Sequence, residues 1–326
     1  MTKEEVRTAL GSGTAKVRVH LIGVAGSGMS GLAGLLLAMG HRVSGSDRVT
    51  TAETERLQKE GLVFSSPHRP GEVDGVDVVV YSTAIKAGNV AFDAAVALGV
   101  PRLRRAETLA SIMRSKKGIV FAGTHGKTTT SAMAAHVLRG GGLEPSHYVG
   151  AEIPILGRNA QLGEGEYFVA EGDESDGTLV EFRPEISVIL NLEAEHLDHY
   201  GDAGIEGIKA VFNTLLGQTA GLVIYCGDDE GSTSVCQKRG AAISYGLGEG
   251  CVYQGTSVNV LGQSSEFRVS CRGELLGVVV LNIPGRHNIL NALAVIALAT
   301  ELGVGFRAIA DALATFSGAK RRFDNR

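Results

Sequence analysis

The feature that most constrains the fold is a glycine-rich loop between a strand and a helix. Residues 17–22, VRVHLI, have the continuous apolar character of a buried strand, and GSGMSG at residues 26–31 leads into the apolar run LAGLLLAMG. A second strand, HRVSGSD, ends in Asp47. A strand, a helix and a second strand in this order form a β-α-β unit, which requires a parallel sheet. The first part of the chain is therefore predicted to be an α/β domain.

The same loop indicates a phosphate-bearing ligand. GSGMSG matches the pattern G-x-G-x-x-G, in which glycines let the backbone approach a diphosphate and the helix N-terminus supplies free N–H groups. An acidic residue at the end of the next strand, here Asp47, suits ribose hydroxyls. NAD and other nucleotides both fit this pattern, and a tight turn without a ligand is the alternative.

A second glycine loop, GTHGKTTT at residues 123–130, follows the predicted strand IVFAG. It is shorter than the usual P-loop, because Phe121 stands where the longer pattern requires glycine. Lys127 is placed to contact terminal phosphates, and the Thr128 hydroxyl is placed to reach Mg²⁺. The alternative is a threonine-rich helix start without a ligand. We interpret the loop as a nucleotide triphosphate site.

Polar segments follow two later strands of the same region. EGDESD (171–176) comes after YFVAE, and NLEAEHLDHYGD (191–202) comes after ISVILN. Ligands bind at the carboxyl edge of a parallel sheet, so Glu171 and His196 are predicted to face the second loop. Carboxylate oxygens suit Mg²⁺. Taken singly, solvated carboxylates and a structural histidine would explain these residues equally well.

The pattern along the chain predicts two domains. Residues 1–115 form a Rossmann-like parallel-sheet domain, and SKKG (115–118) is interpreted as a linker. Residues 116–326 form a P-loop-type α/β ATPase domain with a small antiparallel β part, because residues 251–283 change to a β pattern. Residues 286–303 are predicted to form a long amphipathic helix, with a shorter helix at 306–316.

Composition excludes several classes of partner. The net charge of −4 carries no basic excess that would indicate nucleic acid or an acidic membrane surface. The four cysteines form no C-x-x-C pair, so reduced thiols are expected. The N-terminus lacks the apolar core of a signal peptide, and no apolar run approaches the length of a membrane span. We therefore expect a cytoplasmic protein.

The combination of motifs resembles the Mur ligases, from about Val17 to the last residue. The residues that carry this resemblance are GVAGSGMSG, SGSD, GTHGKTTT, EGDESD, the EHLDHY region, PGRHNILNA and GAKRRFD. The shortened GT-x-GKT loop is characteristic of the family, and GSGMSG before SGSD points to its alanine-adding member. The murein tripeptide ligase of the same family ranks second.

The resemblance implies ligands for both loops. It implies that UDP-N-acetylmuramate, rather than NAD, lies on the first loop and its surroundings, at Gly26, Ser27, Gly28, Met29, Ser30, Asp47 and His68. It implies ATP at Gly123, Thr124, His125, Gly126, Lys127, Thr128, Thr129, His287, Asn291 and Arg322. Mg²⁺ would be held by Thr128, Glu171 and His196, and Lys127, Glu171 and His196 would be the catalytic residues.

The resemblance also implies an activity, namely ATP-dependent joining of L-alanine to the lactyl carboxylate of UDP-N-acetylmuramate through an acyl phosphate. This reaction belongs to peptidoglycan precursor synthesis. Family members carry a third, C-terminal domain, so residues 1–326 alone are expected to ligate weakly or not at all, and to be a monomer or weak dimer. A nicotinamide-dependent oxidoreductase and a non-catalytic UDP-sugar-binding protein remain as alternatives.

Overall fold

The structure, a computed structural model, describes residues 1–13, 15–86, 88–151, 153–173, 178–193, 204–240 and 242–318. Within those residues, no helix is both long enough and apolar enough to cross a lipid bilayer. The chain divides into two compact units, one made of Met1–Lys116 with Arg158–Leu162 and the other of Lys117–Gly157 with Gly163–Arg326. Both units are α/β, and the predicted fold class is confirmed.

The first unit is built on a five-stranded parallel sheet in the order β3-β2-β1-β4-β5. The strands are β1 (Arg18–Ile22), β2 (Arg42–Ser46), β3 (Val63–Ser65), β4 (Val78–Tyr81) and β5 (Arg102–Arg104). The helices are α1 (Lys3–Ser12), α2 (Ser27–Ala38), α3 (Ala52–Lys59), α4 (Val90–Ala97) and α5 (Arg105–Met113). The strand order reverses at β1, so the first glycine loop opens at the switch point where parallel sheets bind ligands.

The second unit contains a larger mixed sheet whose strands follow the order β15-β14-β13-β12-β11-β10-β6-β9-β7. The parallel strands are β6 (Lys117–Ala122), β7 (Ser146–Tyr148), β9 (Tyr167–Glu171), β10 (Ile186–Ile189), β11 (Val223–Cys226) and β12 (Ala242–Gly246). The β part is β13 (Tyr253–Leu261), β14 (Ser264–Cys271) and β15 (Glu274–Leu281), joined by antiparallel pairing.

The helices of the second unit are α6 (Lys127–Gly140), α7 (Gly204–Gln218), α8 (Glu230–Cys236), α9 (Arg286–Glu301) and α10 (Phe306–Thr315). Residues 286–301 do form a helix, but the prediction that this helix is amphipathic is wrong. From Asn291 to Ala299 every side chain of α9 is buried. A helix that is apolar on all sides is typical of the interior of a large unit.

Two local predictions also differ from the structure. The predicted linker at 115–118 contains the first two residues of β6, because Lys117 and Gly118 pair with Tyr167 and Phe168 of β9. A short strand, β8 (Ala160–Gln161), lies in a segment predicted to belong wholly to the second domain. That segment, Arg158–Leu162, belongs to the first unit, where β8 contacts α2.

Candidate functional site

The second glycine loop connects β6 to α6 and ends at Gly126, which has a positive φ of 82°. A side chain at this position would also collide with Asn291, since a Cβ atom would lie 2.9 Å from Asn291 Oδ1. The first backbone N–H groups of α6 have no partner within the helix by its geometry, and they carry the positive end of the helix dipole. The loop and helix therefore present donors suited to phosphate oxygens.

Lys127 lies at the first position of α6 and folds back over the loop. Its ammonium donates hydrogen bonds to the carbonyl oxygens of Gly123 at 2.6 Å and of Thr124 at 3.3 Å. The positive charge is thus held against the second glycine loop.

Two of the three predicted magnesium ligands are brought together. The Thr128 hydroxyl donates a hydrogen bond to Glu171 Oε2 at 2.8 Å. Glu171 ends β9, whose register pairs it with Phe121 of the neighbouring β6. His196, the third predicted ligand, lies outside the described residues. In the described part of the chain, no group of three or more His, Cys, Asp or Glu side chains is close enough to bind a metal.

A cleft of about 450 Å³ lies beside the loop. His287 and Asn291, on the first turns of α9, line it together with His125 and Gly126 of the loop. These four residues were all predicted to contact a nucleotide, and the fold places them around one cavity. Arg322, predicted for the same ligand, lies outside the described residues.

Asn191, two residues after the end of β10, is a residue of this cleft that the sequence prediction missed. Its side-chain Oδ1 accepts a hydrogen bond from the His125 N–H at 2.7 Å, and its Nδ2 donates to the His125 carbonyl at 3.1 Å. Its main-chain carbonyl accepts from the Thr124 N–H at 3.3 Å. Asn191 therefore fixes the conformation of the loop. Its position at the carboxyl end of a parallel strand could have indicated it.

Asp228 and Asp229, which follow β11, were also missed and line the same cleft. Asp228 accepts hydrogen bonds from the N–H groups of Leu247 and Gly248, both at 2.8 Å. Asp229 caps α8 through the Ser232 N–H at 2.6 Å. The sequence GDDE after an apolar strand could have indicated them. Both carboxylates hold the walls of the cleft in place.

The cysteines are free thiols, as expected. Cys226 lies in the lining of the cleft and is only 2% exposed. Burial raises the pKa of its thiol to about 11, so it remains a neutral, poorly nucleophilic group near neutral pH.

In the first unit, the glycine loop is held by the end of β2. The Ser46 carbonyl accepts hydrogen bonds from the N–H groups of Gly23 and Val24 at 2.8 and 3.2 Å. Asp47 Oδ2 accepts from the Ala25 N–H at 2.9 Å. Asp47, predicted as a ribose contact, therefore also braces the loop that leads to Gly26.

The predicted contact residues on α2 lie at its N-terminus. Met29 and Ser30 are buried, so any contact from Met29 to a diphosphate would come from its backbone N–H. The Ser30 N–H donates to Gly26 and its hydroxyl donates to the Ser27 carbonyl at 2.9 Å. Ser27 and Gly28 are the first two residues of the helix, whose first-turn N–H groups have no partner within the helix by its geometry.

Asn159 is a further residue of this loop that sequence reasoning missed. Its Nδ2 donates a hydrogen bond to the Ser27 carbonyl at 2.7 Å, although the two residues are 132 positions apart in the chain. Beside it, Arg158 forms an ion pair with Glu60 at 3.0 Å. No local pattern could have indicated a contact at this sequence distance.

His68 follows β3 and lies half-buried near Ser46, with its Nδ1 2.8 Å from the Ser46 hydroxyl oxygen. It therefore stands at the same edge of the sheet as Asp47, the carboxyl edge at which parallel sheets bind ligands.

Two family models match the chain. The "Mur ligase family, catalytic domain" matches residues 18–117, and the "Mur ligase middle domain" matches residues 121–299. The chain belongs to the Mur ligase family. Each glycine loop of this Mur ligase lies in one of the matched segments, the first in 18–117 and the second in 121–299.

Two relatives of this Mur ligase bear the same name. The UDP-N-acetylmuramate–L-alanine ligase of Methylococcus capsulatus is 43% identical over 309 residues, which cover 94% of this chain and 65% of the relative. The enzyme of the same name from Pelobacter propionicus is 41% identical, with 94% and 67% covered. The chain thus spans about two thirds of the length of these relatives.

Two solved structures illustrate the likeness of this Mur ligase to known folds. The UDP-N-acetylmuramate–alanine ligase from Thermotoga maritima superimposes with a TM-score of 0.83 at 30% identity, covering 94% of this chain and 70% of that one. The UDP-N-acetylmuramate:L-alanyl-γ-D-glutamyl-meso-diaminopimelate ligase from Neisseria meningitides gives 0.84 at 29% identity, covering 94% and 100%.

Proposed function

We propose that this Mur ligase joins L-alanine to the lactyl carboxylate of UDP-N-acetylmuramate at the expense of ATP. The observation that carries the proposal is the hydrogen bond of Thr128 to Glu171 directly behind the GKT loop. It places a hydroxyl and a carboxylate beside a lysine at a helix N-terminus, as a nucleotide triphosphate with Mg²⁺ requires. The names of relatives at 41–43% identity support the choice of substrates.

ATP is proposed to lie with its phosphates on the loop Gly123–Thr129 and its nucleoside part in the cleft of His287 and Asn291. Lys127 would move its ammonium from the Gly123 carbonyl to the terminal phosphates. The Thr128 hydroxyl and the Glu171 carboxylate fit Mg²⁺, which prefers oxygen ligands, and His196 is proposed as the third protein ligand. Bound Mg²⁺ neutralises charge on the phosphate oxygens.

UDP-N-acetylmuramate is proposed to lie on the first unit. Its diphosphate would accept hydrogen bonds from the N–H groups at the start of α2, and Asp47 and His68 would contact the uridine part. Each ligand is thus assigned to a loop of its own, which agrees with the separate family matches for the two units.

The reaction balances in two steps. A carboxylate oxygen of the lactyl group attacks the γ-phosphorus of ATP, and ADP leaves, which gives an acyl phosphate. The neutral amine of L-alanine then attacks the acyl carbon, loses a proton and expels phosphate, which leaves an amide. The protein groups of this site position the reactants and balance charge, which is the main requirement of phosphoryl transfer. We place the reaction in the cytoplasm.

The tripeptide L-alanyl-γ-D-glutamyl-meso-diaminopimelate is the second candidate for the amino substrate. The ligase from Neisseria meningitides that is named for this tripeptide superimposes with a TM-score of 0.84, against 0.83 for the alanine ligase. The identities of 43% and 41% to alanine ligases favour alanine. A ligation assay that offers L-alanine or the tripeptide L-alanyl-γ-D-glutamyl-meso-diaminopimelate decides between them.

Isothermal titration calorimetry tests the proposal at the level of binding. We expect UDP-N-acetylmuramate and Mg-ATP to bind, each with a stoichiometry of one, and NADH not to bind. Binding of UDP-N-acetylmuramate without any turnover by the full-length protein would instead support a UDP-sugar sensor. NADH binding that competes with UDP-N-acetylmuramate would contradict the assignment of the first loop.

A further inference from the structure

A buried chain of polar side chains leads from the centre of the first unit's sheet to His68. His20, in the middle strand β1, is 1% exposed. Its Nδ1 lies 2.9 Å from the Ser44 hydroxyl oxygen, and its Nε2 lies 3.0 Å from the Ser46 hydroxyl oxygen. The Ser46 hydroxyl in turn lies 2.8 Å from His68 Nδ1. One serine hydroxyl therefore stands between two imidazoles.

The directions of the hydrogen bonds in this series of side chains are restricted, because each group carries few hydrogens. Burial lowers the pKa of His20 to about 4, so its ring is neutral near pH 7 and carries a single N–H. A serine hydroxyl has one hydrogen, so Ser46 can donate to only one of the two rings. If His20 donates to the Ser46 oxygen, the Ser46 hydrogen remains for His68 Nδ1 or for the Glu72 carboxylate.

Glu72 decides the tautomer of His20. Its Oε2 lies 3.7 Å from His20 Nε2, too far for a hydrogen bond but close enough for electrostatic attraction, and the Ser46 hydroxyl interacts with the same carboxylate. A lone pair on Nε2 would face a carboxylate oxygen, whereas an N–H there is attracted to it. On the other side of the ring, the Ser44 hydroxyl is closer to His20 Nδ1, at 2.9 Å, than to the Val19 carbonyl, at 3.4 Å. The Glu72 contact favours a hydrogen on Nε2, and the Ser44 hydroxyl then donates to Nδ1.

We propose that His20 is a positioning residue which, through Ser46, holds His68 as a hydrogen-bond donor at the nucleoside end of the first site. His20 Nε2–H donates to the Ser46 hydroxyl oxygen, and the Ser46 hydroxyl donates to His68 Nδ1. A neutral His68 must then carry its hydrogen on Nε2. Such a donor recognises an oxygen acceptor, and a uracil carbonyl is the acceptor that a UDP-sugar would bring there.

The choice of uracil as partner rests on the proposed function, whereas the direction of the hydrogen bonds does not. Ser46 adds a second connection, because its main-chain carbonyl accepts from Gly23 and Val24 at the start of the diphosphate loop. One residue thus supports both the loop and His68, and its side chain can be removed without touching the main-chain contacts.

Nuclear magnetic resonance of the ¹⁵N-histidine-labelled chain tests the proposal. The signals of His68, assigned by comparison with His68→Ala, should show a protonated Nε2 and an unprotonated Nδ1 in the ligand-free protein. Ser46→Ala should convert His68 to a mixture of tautomers and weaken UDP-N-acetylmuramate binding about 3- to 10-fold, the range for one lost hydrogen bond. The control is Ser111→Ala, because Ser111 is a buried serine of α5 that takes no part in this series of hydrogen bonds. It should change neither the His68 tautomer nor the affinity for UDP-N-acetylmuramate.

The outcomes separate the two ideas. The proposed series of hydrogen bonds from His20 through Ser46 to His68, here called the relay, is overturned whatever the ligand is if wild-type His68 is protonated on Nδ1. It is also overturned if the His68 tautomer is unaffected by Ser46→Ala. A His68 tautomer that responds to Ser46→Ala supports the relay. If UDP-N-acetylmuramate affinity is at the same time unaffected by His68→Ala, the relay stands and the uridine assignment of the proposed function fails.

Discussion

Single atoms decide where Glu171 can lie. A Cβ atom on Gly150 would stand 2.0 Å from Glu171 Oε1, a distance that no pair of non-bonded atoms tolerates. Glycine at 150 is therefore a condition for the contact between Glu171 and Thr128. Such a requirement cannot be predicted from sequence, because nothing near Gly150 in the chain indicates that Glu171 approaches it.

Gly150→Ala tests this requirement. The new methyl group should push the Glu171 carboxylate away from Thr128 and weaken magnesium-dependent ATP binding about 10- to 100-fold, the range typical of neighbours that orient a metal ligand. The measurement is ATP affinity as a function of Mg²⁺ concentration. Gly305→Ala is the control, since nothing lies within 4 Å of a Cβ there and its φ is negative. Equal affinities in the two variants would remove Glu171 from the site.

Asn191 gives a second prediction at the level of one side chain. Asn191→Ala removes both side-chain hydrogen bonds to His125 and should lower ATP affinity about tenfold by loosening the loop. Asn191→Asp should be no better, because a carboxylate oxygen would then face the His125 carbonyl. Calorimetry with Asn282→Ala as the control checks this, since Asn282 also bonds a backbone carbonyl but at Ala314. An unchanged ATP affinity in Asn191→Ala would show that the loop keeps its conformation without the two hydrogen bonds from Asn191 to His125.

The buried imidazole of His20 makes the free energy of unfolding depend on pH. Its folded-state pKa, lowered by burial to about 4, lies below the ordinary value of 6.5. The unfolded chain therefore binds the proton first, so this contribution is complete above pH 6.5 and is lost as the pH falls towards 4. At about pH 5 the loss amounts to roughly 2 kcal/mol. Urea unfolding at several pH values should show this slope in the wild type and a smaller one in His20→Asn.

Strands and helices were predicted from sequence where the pattern is local. The β-α-β unit around GSGMSG follows from apolar runs and glycines, and β6, the loop and α6 follow in the same way. The predictions failed where a distant partner decides the outcome. Lys117 is in a strand because Tyr167 pairs with it, and Arg158–Leu162 joins the first unit because Asn159 bonds Ser27. Periodicity in sequence carries no information on either partner.

The buried helix α9 gives a prediction for a whole element. Leu293 is fully buried, and Leu293→Ala should destabilise the second unit by about 2–5 kcal/mol, the cost of a large cavity in a core. The first unit should be unaffected, so UDP-N-acetylmuramate should still bind. Chemical denaturation followed in parallel with UDP-N-acetylmuramate titration measures both effects. A loss below 1 kcal/mol would mean that the core collapses around the gap.

The whole molecule consists of two α/β units that each present a glycine loop at the carboxyl edge of a sheet. The sequence predicted both loops and four of the residues that line the cleft beside the second one, namely His125, Gly126, His287 and Asn291. It missed Asn191, Asp228, Asp229 and Asn159, which contact a loop or a wall of the cleft rather than matching a motif. Motifs indicate groups that touch a ligand, whereas the groups that support them are recognised only in three dimensions.

The central claim is that the two loops bind two different ligands. Calorimetric titration of Lys127→Ala with Mg-ATP and, separately, with UDP-N-acetylmuramate tests it most directly. Lys127 is in the second unit, where its ammonium donates hydrogen bonds to the Gly123 and Thr124 carbonyl oxygens of the second loop. We predict that Mg-ATP binding is lost while UDP-N-acetylmuramate affinity stays within about twofold of the wild type. Equal weakening of both ligands, or unchanged Mg-ATP binding, would contradict the account.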